Sequence, residues 1–356
     1  MATIREQLDA IEKEIRETPY HKGTEHHIGK LRAKISKLKS EEIAKEQISK
    51  GGGGGGYAVK KQGDATVVLV GPPSVGKSTL LTKLTNAKSK IAPYAFTTLT
   101  VIPGMMHYNN ANIQILDVPG IIGGAEKGKG RGKEVLSVAR GADLIIIITD
   151  IDNLEQVAKI KTSLYGNGIR LDINPPRVTV EKKARGNIQL RNNIKQDLNL
   201  ETIKEVAKEF GFRNAEVTIK EKLTMDRLID AFASNRAYLP SLTIINKSDV
   251  DSRARLPDAL NISAEKEIGL EALREAIWQK LAFVRVYLVR REEEPSFNNP
   301  IIVARDQTLH QIINDVSTDM AKEIKQAKIW GNGAKFPGQT VSLSTKAKDG
   351  MQVRFI

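Results

Sequence analysis

Lys77 and Ser78 are the residues from which the chemistry of this chain is most directly read. They close the run Gly71-Pro72-Pro73-Ser74-Val75-Gly76-Lys77-Ser78-Thr79, which follows an apolar stretch at 65–70 and precedes Leu80, Leu81 and Leu84 at helical spacing. Strand, glycine loop and helix start in that order make a phosphate-binding loop. Gly71 and Gly76 permit backbone angles and close approach that a side chain would obstruct. The amides between them can then turn toward phosphate oxygens, with the positive end of the following helix behind them. Contacts to phosphate are expected from Gly71, Pro73, Ser74, Val75, Gly76 and Thr79. Lys77 is the catalytic cation expected at the β- and γ-phosphates, and the Ser78 hydroxyl is an expected Mg²⁺ ligand.

Four further motifs follow in a set order. Phe96-Thr97-Thr98-Leu99 lies in a polar, turn-rich segment able to close over Mg²⁺, with Thr98 as the second hydroxyl ligand and Thr97 as the fallback. Asp117-Val118-Pro119-Gly120 ends an apolar run at 113–116, where Asp117 can hold Mg²⁺ through water and the Gly120 amide can sense the γ-phosphate. Asn246-Lys247-Ser248-Asp249 follows 242–245. Asp249 can accept from the ring N–H and exocyclic amine of guanine, a pairing that adenine does not offer, while Asn246 braces the site and the Lys247 stem covers the base. Ser263-Ala264-Glu265 ends the run 259–262, where its backbone can meet the guanine carbonyl. Each motif alone has an ordinary reading, such as a glycine turn or a strand-edge threonine pair. Their succession, nearly all at strand ends, specifies GTP and disfavours ATP.

The elements that must position these residues are short aliphatic strands at 65–70, 113–116, 144–149, 242–245 and 259–262, alternating with helical stretches. That pattern predicts an α/β fold with a mainly parallel sheet and its chemistry at the strands' carboxyl ends. Ahead of it, Ile4, Leu8, Ile11 and Ile15, then Ile28, Leu31, Ile35 and Leu38, predict two amphipathic helices in residues 1–50, a helical N-terminal hairpin. The lysines from Lys30 to Lys39 could follow a phosphate backbone. A six-glycine tract at 51–56 reads as a passive hinge within a linker at 51–64. The nucleotide domain then spans 65–282. An α+β insertion at 166–237 interrupts it, with strand candidates at 177–180, 186–190 and 216–219 and helices at 200–210 and 224–232. Glu181, Lys182, Lys183 and Arg185, near Arg177 and Arg191, are expected at the turn of a basic hairpin suited to RNA or merely exposed. After a helix at 270–281, residues 283–356 read as a β-grasp-like binding module with a helix near 309–323.

Composition bounds the rest. The 356 residues are 40% hydrophobic and 27% charged, the balance of a globular protein, and the formal charge of +13 favours a polyanionic partner. There is no cysteine, which excludes disulfides and thiol chemistry. The charged start and the short aliphatic runs predict no signal peptide, no membrane association and a cytoplasmic location. His26 and His27 point apart on a helix and read as surface or capping residues, Met105 and Met106 as packing, and Trp278 as core. Trp330 reads as exposed beside a glycine turn.

The phosphate loop, Phe-Thr-Thr-Leu, Asp-Val-Pro-Gly-Ile-Ile, Asn-Lys-Ser-Asp and Ser-Ala-Glu together resemble the Obg-related GTPases, specifically their developmentally regulated GTP-binding (DRG) branch. The resemblance covers nearly the whole chain, including the glycine-lysine stretch at 123–133. It implies that the insertion is similar to a ribosomal-protein-S5-like domain and the tail to a TGS domain, with Trp330-Gly331 and Phe336-Pro337-Gly338-Gln339 at its loops. It also implies a Mg²⁺-dependent GTPase that acts with ribosomes or RNA and has a stabilising or activating protein partner. Gly120 is followed by Ile121, which cannot orient water as a glutamine would, so slow hydrolysis is expected. Potassium is a candidate aid, although related potassium-stimulated enzymes often carry asparagine where Ser74 stands. Lys127, Lys129 and Arg131 are candidate charges in cis. The alternative is a GTP-gated binding scaffold with negligible turnover.

Overall fold

The computed structural model describes residues 3–49, 62–85, 92–93, 100–118, 131–250 and 256–356. The 51–56 tract, Thr97, Thr98, Gly120, Ile121, Lys127 and Lys129 lie outside them, as does the Arg131 side chain. The chain divides into two compact units, one of Met1–Tyr57 with Ser163–Tyr238 and the other of Ala58–Thr162 with Leu239–Ile356.

Two helices open the first unit, α1 (Ile4–Glu17) and α2 (Glu25–Ser49). Thr3 caps α1 and exchanges bonds with Glu6 in a capping box, so the helix starts where its orphan amides find acceptors. Leu8 and Ile11 pack on Leu31 and Leu38, and His27 Nε2 lies 2.9 Å from Glu14 Oε1 across the pair.

The second unit begins with β1 (Ala65–Val70), α3 (Lys77–Thr85), β2 (Ala92–Pro93), β3 (Thr100–Tyr108), β4 (Ala111–Asp117), α4 (Arg131–Arg140) and β5 (Leu144–Thr149), then α5 (Gln156–Gly166), which runs into the first unit. The first unit resumes with β6 (Ile169–Leu171), β7 (Val178–Lys182), β8 (Ile188–Asn192), α6 (Leu200–Glu209), β9 (Ala215–Ile219), α7 (Met225–Phe232) and β10 (Ala237–Leu239). The second is completed by β11 (Ser241–Ile245), β12 (Ala259–Asn261), α8 (Leu270–Leu281), β13 (Phe283–Leu288), β14 (Pro300–Ala304), α9 (Leu309–Val316), α10 (Thr318–Glu323), β15 (Gln326–Gly331), β16 (Gln339–Ser342) and β17 (Met351–Phe355).

The nucleotide domain is an α/β P-loop GTPase fold. Its sheet has the order β12-β11-β5-β1-β4-β3-β2, with parallel pairing from β12 through β4 and antiparallel pairing beyond. β1 and β5 are buried along their whole lengths, which is why they read as unbroken aliphatic runs rather than alternating ones. Met106, opposite Ile113, belongs to this core. Trp278 is half-buried against it and meets Phe283 edge-on.

In the first unit, α2 packs on both α1 and the insertion. A side chain at Gly29 would come within 2.9 Å of Met225 and 3.3 Å of Thr202, and Ala33 is fully buried in the core of the insertion. Of the lysines expected to be able to follow a phosphate backbone, Lys30 pairs with Glu205 and Lys39 with Glu12, and Arg32 between them pairs with Asp226. The expected basic hairpin is corrected. The three-stranded sheet has the order β7-β9-β8, so β7 and β8 are not neighbours. β9 alternates Ala215, Val217 and Ile219 into the core, and this most buried of the three strands takes the centre, antiparallel to β7 and parallel to β8.

The tail forms a mixed sheet, β14-β13-β17-β15-β16, closed on one face by α9. The single helix expected at 309–323 is two, because Ser317 takes an extended backbone and caps α10 through Met320 N. Trp330 is half-buried rather than exposed, with the Arg354 guanidinium 5.2 Å above its ring. Among the described residues no helix is long and apolar enough to cross a membrane.

Candidate functional site

The site forms where β1, β4, β5, β11 and β12 end. The loop from β1 to α3 turns sharply, and its glycines are sterically required. A Cβ on Gly71 would lie 2.2 Å from the Ile148 carbonyl oxygen of β5. One on Gly76, whose φ is +90°, would lie 2.4 Å from Asn246 Nδ2. Ser74 also has a positive φ, 63°, and with Pro73 it is exposed at the tip, while Val75 is buried beneath.

Lys77 starts α3 and its ammonium folds back to donate to Gly71 O at 3.1 Å and Pro72 O at 2.6 Å. Burial pushes this lysine below its ordinary pKa, opposed by the charge of Asp117. Ser78 Oγ donates to Asp117 Oδ2 at 2.7 Å, which brings together the hydroxyl and carboxylate expected from sequence to hold Mg²⁺. The other oxygen, Asp117 Oδ1, is buried with no hydrogen-bond partner among the described residues. An orphaned buried carboxylate oxygen beside a hydroxyl is an all-oxygen donor set of the kind a hard divalent cation takes, so these residues fit Mg²⁺. Thr79 is exposed one residue further along α3. Thr98 and Gly120, the remaining residues expected here, lie outside the described residues.

The base-recognition residues are stitched to the phosphate loop. Asn246 is buried; its Nδ2 donates to Val75 O at 2.8 Å and its Oδ1 accepts from Ala264 N at 2.9 Å. One side chain thus joins the phosphate loop, the end of β11 and the turn after β12. The Ala264 amide, offered by the sequence to a guanine carbonyl, is already engaged by this bond. Ser263 is buried and bridges Ile268 across the turn, whereas Glu265 is exposed. The Ser263 hydrogen bond holds the exposed Asp249 carboxyl below its ordinary pKa, so Asp249 presents an anion.

Asp150, at the end of β5, was not singled out from sequence. It is buried, accepts from Asn153 Nδ2 at 2.6 Å and pairs with Lys247 Nζ at 2.7 Å. Burial alone would raise its carboxyl, but the hydrogen bonds from Lys247 and Asn153 outweigh that and hold it below its ordinary value. Lys247 has a left-handed backbone, φ 60°, so its stem is aimed by both main chain and ion pair. The signal for Asp150 was its place, the first charged side chain after the aliphatic run of β5.

Comparisons with known proteins give the family of this chain. The 50S ribosome-binding GTPase family matches residues 66–183, and the C-terminal region of the MMR_HSR1 domain matches residues 185–283. The chain is 44% identical to an uncharacterized GTP-binding protein of Methanocaldococcus jannaschii, over 98% of this chain and 91% of that one. It is 40% identical to developmentally-regulated G-protein 3 of Arabidopsis thaliana, over 98% and 97% of the two chains. The YchF GTPase of Schizosaccharomyces pombe is similar in structure, with 13% identity and a TM-score of 0.45 over 83% of this chain and 99% of that one.

Proposed function

This chain is a GTP-binding protein that belongs to the ribosome-binding GTPase family, with the developmentally regulated G-proteins among its relatives, and from that premise we propose a slow, Mg²⁺-dependent GTPase switch that acts with ribosomes or RNA. The observation that carries the reading is the pair of hydrogen bonds that Asn246 makes, donating to Val75 O and accepting from Ala264 N, which ties base recognition to phosphate binding.

The reaction is in-line attack of water on the γ-phosphorus of GTP, breaking the bond to the β–γ bridging oxygen and giving GDP and phosphate. The Lys77 ammonium exchanges its carbonyl partners for β- and γ-phosphate oxygens, and the loop amides stabilise the transferring charge. Ser78, Asp117 and Thr98 would hold Mg²⁺, which supplies charge neutralisation at the phosphates when bound. The Gly120 amide reports the γ-phosphate. Asp249 accepts from guanine, with Lys247 over the base and the turn at 263–265 beside its carbonyl. Residues 283–356 serve as a TGS-type binding module, and a partner protein stabilises or activates the whole. The proposed location is the cytoplasm.

A second reading, a GTP-gated scaffold with negligible turnover, is favoured by Ile121, an aliphatic residue where water would need orienting. Phosphate release from GTP by purified protein, in potassium or sodium and with or without ribosomes, separates the two. Turnover that rises with ribosomes and vanishes in Lys77→Ala supports the switch. Background turnover throughout, with GTP still bound, supports the scaffold. Asp249→Asn tests base recognition directly: the exchange of an acceptor for a donor matches xanthine rather than guanine, so preference should pass from GTP to xanthosine triphosphate. Retained preference for GTP refutes the role given to Asp249.

A further inference from the structure

The strand order β7-β9-β8 shapes the basic loop that joins β7 to β8. Because β9 lies between them, residues 183–187 cannot turn back on themselves as a hairpin and must arch over the start of β9. Asn214 props this arch. Lys183 N donates to Asn214 O at 3.0 Å, and Asn187 N to Asn214 Oδ1 at 2.9 Å. Asn214 Nδ2 reaches Ala184 O at 3.4 Å, and Ala215 N donates to Asn187 O at 3.2 Å. Gly186 and Asn187 supply the positive φ angles, 107° and 57°, that the arch requires. The loop is exposed along its whole length yet tied at both ends and in the middle.

This arch presents cations at one end of the sheet. Lys182 lies 5.7 Å over the Phe212 ring, and Arg213, next to the prop, is exposed. Lys183 is 3.5 Å from both Glu181 and Glu216, and Glu216 is shared with Arg191 at 2.7 Å, so the nearby carboxylates are committed. Among the described residues no carboxylate pairs with Lys182, Arg185 or Arg213. An exposed cation usually gains little, but cations on a braced loop lose less freedom when they meet an anion. Guanidinium groups match phosphate oxygens in pairs, and the chain carries +13 overall.

We propose that the arch at 182–187 with Arg213 is the point at which this protein grips the phosphate backbone of RNA. The proposal rests on the RNA reading of function and assigns it a surface. Phosphate contact, rather than base readout, is what two arginines and a lysine on a rigid loop supply.

The test uses the full chain, a fluorescent RNA stem-loop of mixed sequence, and anisotropy across a potassium chloride series. Arg185→Ala with Arg213→Ala should weaken binding at least tenfold. It should also reduce the slope of log affinity against log salt by about 1.5, since each phosphate that a cation neutralises contributes about 0.7–0.9 to that slope. Melting temperature and GTP binding should be unchanged. Asn214→Ala, which leaves every charge in place, should weaken binding less while keeping the salt slope. Lys34→Glu with Lys37→Glu, on exposed positions of α2, should leave affinity within about twofold. If wild type binds RNA and the double arginine variant binds equally with the same slope, the arch is not the site, although the RNA reading survives. If wild type binds GTP but neither RNA nor ribosomes, both fall. Equal competition by polyglutamate at matched charge would assign the arch to an acidic protein and overturn the proposal.

Discussion

Asn246→Asp is nearly isosteric, yet it should disable the site. In the wild type, the buried side chain accepts from Ala264 N at 2.9 Å and donates to Val75 O at 2.8 Å. The substitution keeps the acceptor and replaces the donor with oxygen, so two oxygens face each other and the Val75 carbonyl loses its partner. An unsatisfied buried acceptor costs about 1–3 kcal/mol, and taking about 2 kcal/mol against about 1.4 per tenfold gives a loss of about 30-fold in nucleotide affinity. The effect should also depend on pH. Burial and the facing carbonyl raise the new carboxyl above its ordinary pKa, and when protonated it donates to Val75 again. The deficit is therefore smallest at acid pH and grows as pH rises through the raised value. Titration with a fluorescent GDP analogue at pH 5.5 and pH 8 reads both effects. Affinity within about threefold of wild type at pH 8, or a deficit that does not change with pH, would refute the brace. A lowered melting temperature with unchanged affinity would make Asn246 structural only.

Gly71→Ala should destabilise the second unit by about 1–3 kcal/mol or more and abolish nucleotide binding, since its Cβ would lie 2.2 Å from Ile148 O; thermal melting and equilibrium dialysis check this. GDP binding should take up protons between the lowered pKa of Lys77 and the ordinary lysine value of about 10.4, because phosphate restores the charge that burial disfavours; calorimetry in two buffers of different ionisation enthalpy measures it, and no buffer dependence attributable to Lys77 contradicts it. Lys208 and Lys30 hold Glu205 at about 2, so its contribution is complete above about pH 4.3 and is lost as pH falls toward about 2. Glu205→Gln should therefore cost about 0.5–1 kcal/mol at neutral pH, and the gap in urea midpoints should close across that window.

The parts of this molecule legible in its sequence are those fixed by neighbours along the chain. The phosphate loop is one: strand, glycines and helix start are contiguous, although the contacts that demand Gly71 and Gly76 come from Ile148 and Asn246, far along the chain. Asp117 and the residues from Asn246 to Asp249 are likewise legible because each ends a buried strand. What escaped reading was the choice of partner elsewhere. The runs now seen as β7 and β8 are consecutive and separated by a short basic loop, which is the local sign of a hairpin, yet the more apolar β9 displaced one from the other. Their burial decided the order, and burial depends on α6 and on α2, the second of which lies far away in the chain. The cations of α2 read as a stripe open to phosphate because Glu205 and Asp226 cannot be assigned to Lys30 and Arg32 from spacing. The helix expected at 309–323 broke at Ser317, since a serine can either continue a helix or cap the next one and only packing selects.

Asp150 shows the same limit inside the site itself. Asn246, Lys247 and Asp249 declare themselves by adjacency, but the carboxylate that aims Lys247 lies 97 residues earlier, at the end of a strand with a different apparent role. Parallel sheets create such pairs systematically, because β5 and β11 run side by side and end together. Asp150→Asn would keep the size and the acceptor while removing the charge that fixes the lysine. Its expected effect is faster release of GDP with little change in melting temperature, read by displacement of a fluorescent analogue. An equal fall in melting temperature and affinity would instead place Asp150 in the scaffold rather than in the positioning of Lys247.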